Sequence, residues 1–153
     1  MTEDAKNYSA DLMAVTYLFV DKEKQQIVAY FSLLNDKMAY DPRERSIWNR
    51  INRLIPNQKR RRSYPSAKIG RLAVGKEYAH SGLGSQIIEF IEAFLVKNPK
   101  LGCRFLTVDA YAAATDFYRK NDFEYFTMLD TLDKTRLMYF DLKPFKDKLE
   151  QGI

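Results

Sequence analysis

One cysteine and one histidine stand among 153 residues. An intramolecular disulfide framework is thereby excluded, and so is a structural zinc site built from four Cys or His ligands. No run of about eighteen apolar residues occurs, and the start, MTEDAKNYSADLMA, is polar and acidic rather than a basic stretch leading into an apolar one. Neither a membrane span nor a secretory leader is expected, so the chain reads as cytoplasmic. Internal repeats are absent, and the only biased tract is the cluster Lys59, Arg60, Arg61 and Arg62. What remains is ordinary globular material: 46% hydrophobic and 14% aromatic residues suffice for one core, and a single domain over 1–153 is expected. A net charge of +5 favours an anionic partner, without choosing between a phosphorylated coenzyme and RNA.

Along the chain, residues 7–14 read as a short helix. Val15–Val20 and Ile27–Leu34 are apolar runs rich in β-branched and aromatic residues, separated by a polar turn, and predict a hairpin. Asp41-Pro42 signals a helix start, and Ile47, Trp48, Ile51, Leu54 and Ile55 recur at three- and four-residue spacing, predicting one buried face. Tyr64-Pro65 restarts extended structure. Cys103–Val108 predicts a buried strand in which Cys103 packs, followed by an alanine-rich helix through Tyr118. Glu124–Met128 and Leu137–Leu142 predict two closing strands, and the tail from Lys143 a frayed end.

The most informative stretch is Lys68–Gly84 (KIGRLAVGKEYAHSGLG), in which an apolar strand passes through a short loop whose two glycines open an amphipathic helix. The first N–H groups of a helix lack intrahelical partners and carry partial positive charge, so such a loop suits a phosphate or pyrophosphate. Gly82 and Gly84 let a ligand approach the backbone and let the loop take positive φ. His80 and Ser81 offer further donors.

This stretch resembles the acetyl-coenzyme A motif of the GNAT N-acetyltransferase superfamily, where a valine, a three-residue gap, an aromatic and Q/R-x-x-G-x-G/A recur. Val74, Tyr78, Gly82 and Gly84 fall in register, while Ala79 stands where Gln or Arg is usual. A second motif, A-x-x-F-Y-x-K-x-G-F, is matched by Ala114, Phe117, Tyr118, Lys120 and Phe123. Asp122 replaces its glycine, and Ala112 or Ala113 an asparagine. Asp tolerates the left-handed conformation better than most residues, so a helix-ending turn at Asn121 and Asp122 is expected.

The resemblance implies an α/β (α+β) fold with a mixed, mostly antiparallel sheet flanked by helices and a shortened N-terminal region, about fourteen residues preceding the first strand. It implies acetyl-CoA bound by Leu72, Ala73 and Val74, whose backbone would orient the thioester carbonyl, and by the loop Ala79, His80, Ser81, Gly82, Leu83, Gly84 and Ser85. Tyr118 becomes the candidate general acid for the leaving thiolate, since a tyrosine hydroxyl is protonated at pH 7. The strand carries no carboxylate to serve as base, and Glu77 lies too near the phosphate loop. An acceptor whose amine titrates near pH 8, as an α-amino group does, therefore suits the site better than a lysine near 10.4. The implied reaction is acetyl transfer to a small-molecule or aminoacyl amine. The GRLAV strand, the basic cluster and the F-Y pair also resemble a toxin subgroup that acetylates aminoacyl-tRNA and is encoded with an antitoxin; Lys59–Arg62 and Arg71 would then meet tRNA phosphates. A non-catalytic module binding coenzyme A, RNA or protein is the third alternative, and a homodimer stays open.

Overall fold

The computed structural model describes residues 3–97 and 99–152. After helix α1 (Glu3–Ala10), strands β1 (Val15–Asp21) and β2 (Gln26–Ala39) form the expected antiparallel hairpin. Its turn is held by the Asp21 carboxylate, which accepts from the N–H groups of Glu23 and Lys24 at 2.9 and 3.1 Å. Helix α1 lies earlier than residues 7–14, because Leu12 takes a left-handed conformation (φ 58°) and stops the helix. Next come α2 (Arg45–Asn52), β3 (Ser63–Val74), α3 (Leu83–Lys97), β4 (Phe105–Tyr111), α4 (Thr115–Lys120), β5 (Glu124–Tyr125), β6 (Thr135–Asp141) and α5 (Leu142–Glu150).

The six strands form one sheet in the order β1-β2-β3-β4-β6-β5. Every neighbouring pair is antiparallel except β3 and β4, which α3 joins as a parallel crossover unit. The fold is thus the mixed, mostly antiparallel sheet that the motifs imply. Its two faces carry separate cores. On one face Phe31, Ile69, Leu106, Val108 and Met138 pack under Ile87, Ile88 and Ile91 of α3, with Tyr118 and Phe123 at the α4 end. On the other, Trp48 and Ile51 of α2 cover Met38, Tyr64, Phe105 and Tyr139, with Trp48 stacked on Tyr64 at 5.3 Å between ring centroids.

Several expectations are corrected. The strand β2 runs to Ala39 rather than ending at Leu34, because β3 pairs with it back to Ser63. Helix α2 ends at Asn52, which drops Leu54 out of register and leaves it exposed, while Ile55 stays buried. Cys103 precedes β4 rather than lying in it; it is half-buried, its Sγ donating to the Phe105 carbonyl at 3.1 Å, and burial raises its thiol pKa. The strand β5 stops at Tyr125, since the Glu44 carboxylate captures the Thr127 hydroxyl and the Met128 N–H and draws the chain out of the sheet. The tail is not frayed. Asp141, clamped by Arg104 at 2.8 and 2.9 Å, caps α5 by accepting from the Lys143 N–H, and Leu142 and Phe145 pack inward while the lysines face solvent. Among the described residues no helix is long and apolar enough to cross a membrane.

Candidate functional site

The strands β3 and β4 are paired from Ser66↔Phe105 to Ile69↔Val108 and no further. Beyond that point β3 continues to Val74 on β2 alone, and β4 continues to Tyr111 on β6 alone. The sheet therefore splays. Gly70 sits at the start of the splay, in a register shift where Ser32 pairs with Arg71 and Leu33 with Ile69. A Cβ at Gly70 would lie 2.9 Å from both Leu34 Cδ2 and Ser32 Oγ, so a larger residue there would have to displace these two side-chain ends.

A cleft of about 420 Å³ opens from the splay on the α3 face. It is bounded by Leu72 and Val74 from β3, by the loop at Ala79, His80 and Gly82, by Gly84 and Ser85 of α3, and by Phe117 and Tyr118 of α4. Of the residues expected to hold coenzyme, Ala73, Ser81 and Leu83 do not line it. Ala73 belongs to the opposite face of β3, Ser81 turns its hydroxyl to donate to the Tyr78 carbonyl, and Leu83 packs into the core. Phe117, Ala113 and Tyr78 line the cleft but were not singled out as binding residues, although the aromatic positions of both motifs pointed at Tyr78 and Phe117.

The two motif glycines differ in what they do. Gly82 takes φ +83° with open space around its absent side chain, whereas a Cβ on Gly84 would meet the Phe117 ring at 3.1–3.2 Å. One is needed for backbone conformation and the other for the cleft wall. His80 is also left-handed (φ 60°), so the loop alternates conformations just before α3. The first bond of that helix runs from the Gln86 N–H to the Gly82 carbonyl at 3.2 Å. The N–H groups of the first turn are thus left to a ligand, and this fits a pyrophosphate without any help from the Ala79 side chain.

Tyr118 is buried at 6% exposure between Phe117 and Phe123, with ring centroids 5.1 and 5.3 Å away in edge-on packing. Burial alone pushes its hydroxyl up to about 12. The expected left-handed turn is present at Asp122 (φ 65°), and it returns the Phe123 N–H to the Tyr118 carbonyl at 3.0 Å, fixing the tyrosine at the cleft wall. A larger hollow, about 920 Å³ between α2, α3 and α5, shares only Ser85 with this cleft; of the second motif it takes Lys120 and Asp122, on the far side of α4 from Tyr118.

A splayed parallel pair, a glycine loop at a helix start and a buried tyrosine on the same cleft form a site suited to a phosphorylated ligand. Residues 14–125 match the acetyltransferase (GNAT) domain family, and the chain belongs to that family. It is an acetyltransferase that uses acetyl-CoA. No curated protein matches it in sequence. Among solved structures it is similar to one described as a bacterial toxin, with a TM-score of 0.75 at 13% identity over 97% of this chain and 78% of that one. AtaT complexed with acetyl-methionyl-tRNAfMet gives 0.74 at 16% identity over 96% and 82%. A tyrosine-to-phenylalanine mutant of AtaT bound to the C-terminus of the antitoxin AtaR and acetyl-CoA gives 0.71 at 14% identity over 97% and 79%. Identities this low speak to the fold alone.

Proposed function

We propose that this single-domain chain transfers acetyl from acetyl-CoA to an α-amine, with the cleft residues holding the coenzyme and Tyr118 serving the leaving sulfur. The observation that carries this is the convergence of Leu72, Val74, Gly82, Gly84, Ser85 and Tyr118 on one cleft at the splay. Acetyl-CoA supplies the activated acyl group. The loop Ala79–Ser85 offers its backbone to the pyrophosphate, with His80 and Ser81 beside it and Leu83 anchoring the helix start in the core. The exposed end of β3, Leu72–Val74, presents backbone N–H groups to the thioester carbonyl. Burial pushes the Tyr118 hydroxyl up to about 12, so it is held protonated and is available as the donor to the departing thiolate. The test is thiol release from acetyl-CoA over a panel of small amines and charged tRNA, together with the thermal shift on adding acetyl-CoA. Unchanged melting at saturating coenzyme overturns the assignment.

The aminoacyl-tRNA reading is favoured by a specific arrangement on the opposite face. Arg62 places its guanidinium 5.7 Å from the centre of the Tyr40 ring, and Tyr40 with Trp48, Phe126 and Leu137 lines a hollow of about 730 Å³. The basic cluster thus borders a hollow that is partly aromatic and also lined by Asp41, Glu44, Asp130 and Asp133, large enough for an aminoacyl group with its cationic amine, while RNA phosphates would meet the cluster outside it. Under this reading the chain works in the cytoplasm, and an antitoxin partner, as the similar AtaT has, is expected. Oligomerisation as a homodimer is compatible with it.

A further inference from the structure

On the face of the sheet opposite the coenzyme cleft, three neighbouring strands bring together Asp36 of β2, Lys68 of β3 and Asp109 of β4. The Lys68 ammonium lies 3.2 Å from Asp36 and 2.9 Å from Asp109, and Thr107 donates to Asp36 at 3.5 Å. Burial opposes the ammonium, but the hydrogen bonds and charges of the two carboxylates outweigh it and raise its pKa. Lys68 is therefore a fixed cation whose place is set by the pair. The same face carries Ser66, cross-strand partner of Asp36, whose Oγ is the one buried side-chain polar atom without a hydrogen-bond partner among the described residues. An orphaned hydroxyl beside a half-buried ion cluster marks a place that water or a polar ligand completes.

Asp109 differs from Asp36 in where it stands. It is the first β4 residue past the last β3–β4 pair, at the mouth of the splay, and about half of its side chain is exposed. Its cross-strand partner, Leu137, lines the 730 Å³ hollow. We propose that Asp109 is the group that receives the acceptor amine at the splay and takes its proton. This rests on the α-amine reading above. The acceptor nitrogen bonds to the acetyl carbon, the carbon–sulfur bond breaks with its electron pair going to sulfur, and the sulfur takes the Tyr118 proton. The surplus amine proton passes to Asp109, and solvent returns both side chains to their starting states. The charges facing Asp109 are Lys68 from β3 and, through it, Asp36 from β2; β6 offers the apolar Leu137, while Arg136 turns to Asp130 at 2.7 Å. An α-amine near pKa 8 is already partly neutral at about pH 7 to 8, so the site needs only a carboxylate within reach to collect the proton shed as the amide forms.

The experiment compares Asp109→Asn with Asp36→Asn, since both remove a partner of Lys68 but only Asp109 adjoins the splay. Single-turnover acetyl transfer is measured across pH with methionine amide and with methionyl-tRNA as acceptors. Asp109→Asn is expected to lower the rate about a hundredfold or more at every pH, with the acetyl-CoA thermal shift intact. Asp36→Asn should stay within a few-fold of wild type, and Asp109→Glu should recover part of the loss. Equal losses in the two Asn variants, or a wild-type rate in Asp109→Asn, overturn the proposal. Wild-type protein that shows the acetyl-CoA shift but acetylates neither probe overturns the α-amine reading and this proposal with it, while leaving the coenzyme site standing.

Discussion

The two faces of the sheet at the splay are built from different materials. The cleft face is lined by a glycine loop and by small or apolar side chains: Gly82, Gly84, Leu72, Val74 and the ring of Phe117. The other face carries charged side chains held by one another, Asp36, Lys68 and Asp109. Recognition by backbone tolerates side-chain loss, which is why Ala79 in place of a Gln or Arg leaves the cradle intact. An ion cluster depends on its side chains one by one: Lys68 bridges two carboxylates, so loss of Asp36 still leaves it paired with Asp109, whereas loss of Lys68 leaves both carboxylates unmatched.

The largest effect that sharpens this contrast is expected from Tyr118→Phe. The ring keeps its packing on Phe117 and Phe123, and only the donor to the leaving sulfur is lost. Single-turnover rates should fall about a hundred- to ten-thousandfold while the acetyl-CoA thermal shift is kept. A wild-type rate removes Tyr118 from the chemistry.

Next in size is Gly84→Val, which drives a side chain into the Phe117 ring and narrows the cleft. A ligand at a hundredfold excess over its Kd stabilises the fold by about 2.7 kcal/mol, and this shift should vanish in the variant. Gly82→Ala meets no neighbouring atom but must hold φ near +83°, so it should cost about 1 kcal/mol of stability and retain part of the shift. If the two variants behave alike, the distinction between wall and conformation fails.

The coenzyme-face helix α3 also buries Glu92, whose carboxyl is pushed up to about 8 by burial and by the charges of Glu89 and Asp122. Its folded pKa exceeds the unfolded value, so the native state holds the proton more tightly. Stability then falls as pH rises from about 4.5 to 8. Glu92→Gln should stabilise the protein by about 1–3 kcal/mol at pH 8 and leave it unchanged near pH 4, as denaturant titrations at the two pH values would show. A pH-independent difference would mean that Glu92 titrates alike in the folded and unfolded states.

The smallest effect concerns the basic cluster. Arg60 donates to the Ile55 carbonyl at 3.1 Å and Arg62 sits over Tyr40, so both also serve the fold. Lys59→Ala with Arg61→Ala is the cleaner pair, and it should raise KM for charged tRNA several-fold and flatten its logarithmic salt dependence by roughly 1.5. A small amine acceptor should show neither change. Wild-type salt dependence in the pair would leave the cluster a solvated face.

Much of the coenzyme side was legible along the chain because its parts are local: strand, loop, glycines and helix start lie within Lys68–Gly84, and Ala114 to Phe123 carries the tyrosine and its turn. Periodicity also found the α2 face through Trp48, Ile51 and Ile55. It missed the end of that helix at Asn52, since nothing in the spacing shows where a helix stops packing. The charged tail from Lys143 read as frayed because its cap, Asp141, is secured by Arg104, distant in sequence and just ahead of β4. The other face was not legible at all. Asp36, Lys68 and Asp109 are far apart in sequence, the last two separated by 41 residues, and each alone looks like an ordinary surface charge.

The sequence by itself determined the anion cradle and the position of Tyr118, because main-chain donors, positive φ and a helix start need only a few consecutive residues. Only the tertiary structure decided that β3 and β4 part after Ile69 and Val108, and hence that the cradle opens at a gap in the sheet. That gap arises because β2 holds one strand through the Gly70 irregularity and β6 holds the other, so neither can follow its parallel neighbour to the end. Register between strands brought by long loops is a property of the assembled sheet, and the three charges that meet across it exist as a group only once that register is set.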